Sequence, residues 1–355
     1  MRLDPDLGEE TDRMTQLAMR FDLRITPSAK TTHSGQHQAL LEMVSWADEV
    51  GFDTICLSEH HGDPAGYMSA PLVLAAAVLG RTRRIQVRIA ASLAPLHDPV
   101  RLAEQLNTLD CLAPGRLEIV LGAGYRRVEF EMAGVDVRER GERVEECVAV
   151  LRGAFSGKTF SWRGREVLAT PPPATPGGPR ILVGGKTAAS ARRAARLRCP
   201  FSPAVADHAV IAAYYAEASR LDFAEPEVFG CRSFDAYRNR HPASAIAAPG
   251  FVMVTRDPEA TWKRIGRLAV DDATTYAAWQ EDGVVSDTAA PGASTWQALR
   301  ASGRFAVVTP AECQALAARD GSLMLHPLMG GLGPELAWEG LRLFEREVLP
   351  HLARG

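Results

Sequence analysis

The chain lacks several things that would have decided its class at once. No stretch approaches the ~20 consecutive apolar residues of a membrane-spanning helix, and the longest candidate, Pro71 to Gly80, is about half of that. No membrane partner is therefore expected. The six cysteines (Cys56, Cys111, Cys147, Cys199, Cys231 and Cys313) include no Cys-x-x-Cys pair and none flanked like an activated nucleophile. Scattered through mostly apolar contexts, they read as the thiols of a reduced, cytoplasmic protein. An excess of one charge is also missing: 40 basic against 43 acidic residues leave a formal net charge of -3. Nucleic acid is not expected as a partner, because counterion release needs a basic excess or patch. The basic runs Arg81 to Arg84 and Arg192 to Arg198 read as solvated helix faces. Met1 to Met14 is acidic and has no apolar centre, so no signal peptide is expected there.

What is present is an alternation of short β-rich runs with amphipathic helical segments, in a chain 46% hydrophobic and 23% charged. That pattern implies parallel strands joined by helical crossovers. Strands are expected at Phe21–Ile25, Thr54–Ser58, Ile85–Ala91, Leu117–Leu121, Arg180–Val183, Cys199–Ser202, Phe251–Val254 and Leu323–His326. Leu40, Val44 and Ala47 recur at helical spacing ahead of Gly51, which is placed to cap that helix. Asp98-Pro99 and Asp257-Pro258 each supply a cap followed by proline at the first helical position. Eight strand-and-helix units make the expected fold an α/β (β/α)₈ TIM barrel with long insertions after the later strands. The rival doubly wound sheet needs a Gly-x-Gly-x-x-Gly turn after its first strand, and none follows. The domain plan is a poorly ordered tail at 1–19 and one domain over 20–355. Phe223 to Gly250 and Asp272 to Phe305 are long and poor in periodicity, and read as substrate or lid loops. The helix at 71–80 is apolar all round, so one barrel wall cannot cover it. A homodimer through it and the neighbouring helix 99–110 is expected.

Barrel chemistry sits at the carboxyl ends of the strands. Strand two ends in Ser58-Glu59-His60-His61. Adjacent residues there point to opposite faces, so His60 and His61 do not easily share a metal ion, and no metal is expected. The fifth strand ends in Gly184-Gly185-Lys186-Thr187 before a helix. This is either a phosphate cradle, with Thr187 and Ser190 adding hydroxyls, or an ordinary cap. Ala90-Ala91-Ser92 would let a flat ring lie against the backbone, although spacing alone favours tight packing. A barrel hydrolase would need a metal or a nucleophile elbow, and neither motif occurs.

These segments resemble the luciferase-like monooxygenase superfamily from Phe21 to Leu352. The pieces that carry the likeness are Ser58-Glu59-His60-His61, Leu96-His97-Asp98-Pro99-Val100-Arg101-Leu102-Ala103-Glu104, Gly122-Ala123-Gly124-Tyr125 with Glu129-Phe130, Val183-Gly184-Gly185, and Pro327-Leu328-Met329-Gly330-Gly331-Leu332. The resemblance implies reduced FMN at the barrel mouth, delivered by a separate flavin reductase, with a small organic molecule as substrate. It places the phosphate at Gly184, Gly185, Lys186, Thr187 and Ser190, and a non-prolyl cis peptide at Ala90-Ala91 behind the flavin ring. Gly122, Gly124 and Tyr125 complete the cofactor wall. His60 matches the family's catalytic histidine, with Glu59 or a backbone group orienting it and His61 beside it. His326 and Met324 are assigned to the substrate wall. The chain departs from luciferase proper at Gly122 and Ala123, where that enzyme has a reactive cysteine and an arginine. Lys186 or Arg126 must then neutralise the phosphate. The expected reaction is FMNH₂-dependent monooxygenation. Hydride transfer with deazaflavin F420, or flavin binding without turnover, are the alternatives.

Overall fold

The computed structural model describes residues 15–242, 248–279 and 292–353. Its strands are β1 (Gln16–Phe21), β2 (Thr54–Leu57), β3 (Gln86–Leu93), β4 (Leu117–Gly122), β5 (Phe160–Trp162), β6 (Arg165–Val167), β7 (Arg180–Gly185), β8 (Phe201–Pro203), β9 (Phe251–Val254), β10 (Phe305–Val308) and β11 (Ser322–Leu325). Between them run α1 (His33–Val50), α2 (Pro71–Arg81), α3 (Pro99–Leu112), α4 (Arg127–Ala133), α5 (Arg140–Phe155), α6 (Ala188–Arg196), α7 (His208–Arg220), α8 (Phe234–Arg240), α9 (Pro258–Ala278), α10 (Trp296–Ala301), α11 (Pro310–Asp320) and α12 (Pro334–Glu347).

Seven strands pair in the parallel order β11-β1-β2-β3-β4-β7-β8. The sheet's two faces differ in chemistry because side chains alternate along each strand. Leu17, Met19, Phe21, Ile55, Leu57, Val87, Ile89, Ile119 and Leu121 are buried on one face. Each such side chain contributes roughly 1.5–3 kcal/mol by leaving water. The other face carries a row set by the strand register, Arg20–Cys56–Arg88–Glu118–Arg180. Glu118 joins that row by pairing with Arg88 on one side and with Arg180, at 2.8 Å, on the other. That face therefore carries an ionic row in which Arg88 and Arg180 reach solvent.

The fold is an α/β structure with a curled parallel sheet, and the sheet is open. β9 spends its ladder on β10, which begins at Phe305, the last residue of the stretch expected to be an irregular insertion. β8 has only three residues and ends in Pro203, which has no N–H to donate. Beside β11, β9 lines a seam cavity of about 20 Å³ with Phe251, Val252, Leu325 and His326, without ladder bonds among the described residues.

The first strand is Gln16–Phe21, so the sheet begins inside the stretch 1–19 read as a tail; residues 1–14 lie outside the described residues. The alternation Phe21-Asp22-Leu23-Arg24-Ile25 mimics a strand, but Leu23 adopts the left-handed region (φ 58°) and turns the chain there. The supposed loop from Asp272 starts inside α9, which runs on to Ala278, and it also holds α10 and ends on the first residue of β10, Phe305. Its segment 280–291 lies outside the described residues. Phe223–Gly250 contains α8, with 243–247 likewise outside. The hairpin β5–β6 was not foreseen. α2 does form, but Val73 on it is 70% exposed, so this face is uncovered in the single chain. Among the described residues no helix is long and apolar enough to cross a membrane.

Candidate active site

Side chains from the carboxyl ends of β1, β2, β3, β4 and β11 converge with one face of α9. The buried ring of His60 is held through Nδ1 by Glu129 Oε1 at 2.8 Å. The same oxygen accepts the His61 backbone N–H at 3.1 Å and Arg126 Nη1 at 3.2 Å. Arg126 also donates to the His61 carbonyl at 2.8 Å and lies 4.0 Å from the centre of the Trp279 ring. Burial works against the charge of Glu129, but the bonds from His60 and His61 outweigh it and hold the carboxyl below its usual range.

Glu59, expected with a backbone group as an alternative to orient His60, bonds elsewhere and leaves that role to Glu129. Its Oε2 accepts Ser92 Oγ and the Leu93 N–H, both at 2.8 Å. Its Oε1 faces His61 Nε2 at 3.0 Å and His97 Nε2 at 2.8 Å. Burial opposes its ionisation, yet the bonds from His61 and His97 hold the carboxyl far below the usual value. His61 is correspondingly raised, first by its bond to Glu59. Glu59 thus ties the end of β2 to the end of β3, and His61 faces Glu59 through its Nε2.

Aromatic rings enclose His60. Tyr67, Trp279 and Tyr125 lie with ring centres 4.8, 5.0 and 5.6 Å from its own. Burial raises the Tyr125 hydroxyl well above its ordinary value. Beneath this cluster, Tyr276 donates to Asp22 Oδ2 at 3.0 Å and lies 2.6 Å from the Tyr67 hydroxyl. It also accepts Arg20 Nη2 at 2.7 Å, while Ser58 Oγ and Tyr67 share a bond at 2.8 Å. Arg24, fully buried, pairs with Asp272 of α9 and lies under the Tyr276 ring at 4.4 Å. His326 Nε2 is 3.3 Å from Asp22, which places this residue in the interior network. Met324, half-buried on β11, pairs in register with Ala18.

The expected cofactor wall is built from small groups. Ala90-Ala91 is a non-prolyl cis peptide. Gly122 faces it so closely that an added Cβ would lie 3.0 Å from Ala91 Cβ. Gly124 has φ +71°, and a Cβ there would meet Phe130 at 3.0 Å. The glycines of β7 serve packing first: a Cβ on Gly184 would meet Val120 at 2.8 Å, and one on Gly185 would meet Ser190 Oγ at 2.2 Å. Thr187 and Ser190 form a reciprocal capping box on α6, which already occupies the hydroxyls expected to bind phosphate. Lys186 Nζ lies 5.2 Å from the centre of the Tyr125 ring. No cluster of three or more metal-ligating side chains occurs among the described residues.

Glu129, Tyr67, Tyr276, Trp279, Arg24 and Asp22 belong to the site although no sequence motif marked their roles. Glu129 alone had a signal, its place with Phe130 among the pieces that carry the family likeness. Asp272, Tyr276 and Trp279 share a helical spacing of i, i+4 and i+7, which places them on one face.

A curled parallel sheet with its charged and aromatic groups gathered at the strands' carboxyl ends belongs to the class of α/β proteins that hold a small molecule there. The chain belongs to the luciferase-like monooxygenase family, which matches residues 19–321. The alkanal monooxygenase alpha chain of Photorhabdus luminescens is 29% identical over 166 residues, 45% of this chain and 46% of its own length. The chain spans less than half the length of the curated relatives it matches first. The oxygenating constituent of 3,6-diketocamphane monooxygenase from Pseudomonas putida, solved with FMN, superposes with a TM-score of 0.67 at 17% identity, covering 96% of this chain and 100% of that one. An F420-dependent secondary alcohol dehydrogenase has a TM-score of 0.61 at 15% identity, over 91% of this chain and 98% of its own. At these identities the two structures speak for the fold alone.

Proposed function

We propose that this chain is the oxygenating component of a two-component flavin monooxygenase. A separate reductase supplies FMNH₂ to it, and a small organic molecule is its substrate. The observation that carries the reading is His60, held by Glu129 and ringed by aromatics, at the strand end beside the Ala90–Ala91 and Gly122 wall. That wall presents no side chain larger than a methyl group, which suits a flat ring lying on backbone. The backbone N–H groups of Ala188 and Ala189, in the first turn of α6, are left for a phosphate after Thr187 and Ser190 have capped each other. Lys186 adds positive charge at the same end. The residues present therefore fit FMN.

When bound, reduced FMN supplies the two electrons with which one oxygen atom of O₂ passes to the substrate and the other leaves as water. The chain's own contribution is binding, proton handling and the exclusion of water. His60 holds or moves the proton at Nε2. Trp279, Tyr67 and Tyr125 close around that ring and keep the site dry. We further infer that the open sheet and the β9–β10 pair beside β11 together wrap the site in the manner of a (β/α)₈ barrel, and that two copies pair through the uncovered face of α2 with α3 beside it. A cytoplasmic location fits the unpaired thiols.

Thermal melting with added FMN and, separately, F420 tests the cofactor. A ligand at 100 times its Kd stabilises the native state by about 2.7 kcal/mol. A rise with FMN, together with FMNH₂-dependent oxygen consumption that falls in His60→Ala, supports the reading. A rise with F420 alone supports hydride transfer, the second reading, which has the similarity to the F420-dependent dehydrogenase in its favour. FMN binding with unchanged oxygen consumption in His60→Ala removes the role of His60.

A further inference from the structure

We propose that Glu129 is a positioning residue that fixes His60 as its Nδ1–H tautomer and so makes Nε2 the nitrogen that meets the reacting group. This rests on reading His60 as the site's proton-handling group. The tautomer follows from which groups can only donate. Glu129 Oε1 receives the His61 backbone N–H at 3.1 Å and a guanidinium N–H of Arg126 at 3.2 Å. Neither of these can accept a hydrogen bond, so this oxygen is an acceptor. The His60 Nδ1 that approaches it at 2.8 Å must then donate. In the neutral ring the lone pair lies on Nε2, which makes no hydrogen bond to a described residue.

Two further observations separate this arrangement from ordinary packing. Arg126 is itself fixed by the His61 carbonyl and the Trp279 face, so its charge stays beside the carboxylate and Glu129 is kept from taking the proton it orients. The ring plane of His60 is held between Tyr67, Tyr125 and Trp279, which leaves rotation about the ring axis as the motion that Glu129 must prevent. The nearer neighbour in sequence, Glu59, has both oxygens filled by Ser92, Leu93, His61 and His97. The other carboxylate oxygen of Glu129, Oε2, is buried without a hydrogen-bond partner. In Glu129→Gln the amide nitrogen can occupy that position while Oε1 keeps its three donors. That variant removes the charge and little else, whereas Glu129→Ala removes the acceptor too.

The experiment uses the full chain with ¹⁵N-labelled histidine, His60 being assigned by its loss in His60→Gln. The ring shifts report the tautomer without flavin or substrate. The proposal expects an Nδ1–H pattern in the wild type, in Glu129→Gln and in Glu59→Gln, and a mixed or reversed pattern in Glu129→Ala. FMNH₂-dependent oxygen consumption should fall about 10–100-fold in Glu129→Ala, the range for losing an outer partner that orients a histidine, and by much less in Glu129→Gln, which keeps the acceptor. FMN affinity should stay within about twofold and the melting curve cooperative. An unchanged His60 pattern in Glu129→Ala overturns the positioning itself. A changed pattern with unchanged oxygen consumption overturns it through the role of His60, which His60→Gln would show by the same unchanged rate.

Discussion

Replacing Glu59 by alanine removes one acceptor from four donors at once. Ser92 Oγ and the Leu93 N–H are buried at the end of β3, and His61 and His97 approach the other oxygen. The two histidines are partly exposed, with side chains 27% and 24% accessible, and can turn to water. The Leu93 N–H cannot, Ser92 Oγ keeps only His97 Nε2 at 3.4 Å, and each buried donor left unpaired costs about 1–3 kcal/mol. With the cavity left by the side chain, a loss of about 3–5 kcal/mol is expected. For a chain of 355 residues the unfolding entropy is roughly 0.75 kcal/mol per kelvin. Tm should therefore fall by about 4–7 °C. Glu59→Gln should lose less, because its carbonyl can still serve Ser92 and Leu93. Differential scanning calorimetry of the three proteins at pH 7.5 checks this. A Tm for Glu59→Ala within about 1 °C of wild type would refute the idea that Glu59 ties the two strand ends together.

Breaking the buried Arg24–Asp272 pair by Arg24→Met or Asp272→Leu alone should cost about 3–5 kcal/mol. The double variant should recover part of that loss, read from urea unfolding, because no lone charge stays buried. Tyr276→Phe removes the hydroxyl shared by Arg20, Tyr67 and Asp22 and should cost about 1–3 kcal/mol by the same measurement. The pH profile follows from the signs of the shifts. The Glu59 and Glu129 carboxyls are lowered in the fold, so their contribution is present above the unfolded value, about 4.3, and disappears as pH falls through the folded ones. His61 is raised, so its contribution is present below about 6.5 and disappears as pH rises through the folded value. Tm measured upward from about pH 6.5 should fall less steeply in Glu59→Gln than in wild type.

Much of the scaffold was legible because periodicity and capping agree with tertiary packing. Phe251–Val254 is matched residue for residue, and Asp98 and Asp257 cap their helices ahead of proline as expected. Legibility failed where a pattern had two physical solutions. The alternation at Phe21–Ile25 suits a strand, but Asp22 and Arg24 are held in place by partners more than two hundred residues away, Tyr276 and Asp272. The cis Ala90-Ala91 bond came from family likeness, since two alanines carry no such signal themselves. Glu59 or a backbone group was expected to orient His60, but strand geometry sends neighbouring side chains to opposite faces. It thereby leaves His60 to a carboxylate 69 residues away.

α9 supplies Asp272, Tyr276 and Trp279 to the rim, so three separate functions hang on the rotational setting of one rod. Adding or deleting a single residue upstream in that helix would turn the face by about 100°. The ion pair to Arg24, the hydroxyl between Arg20 and Asp22, and the indole over His60 would all be withdrawn in one step. Variation in this segment is thus coarse-grained: whole turns are tolerable, single residues are not.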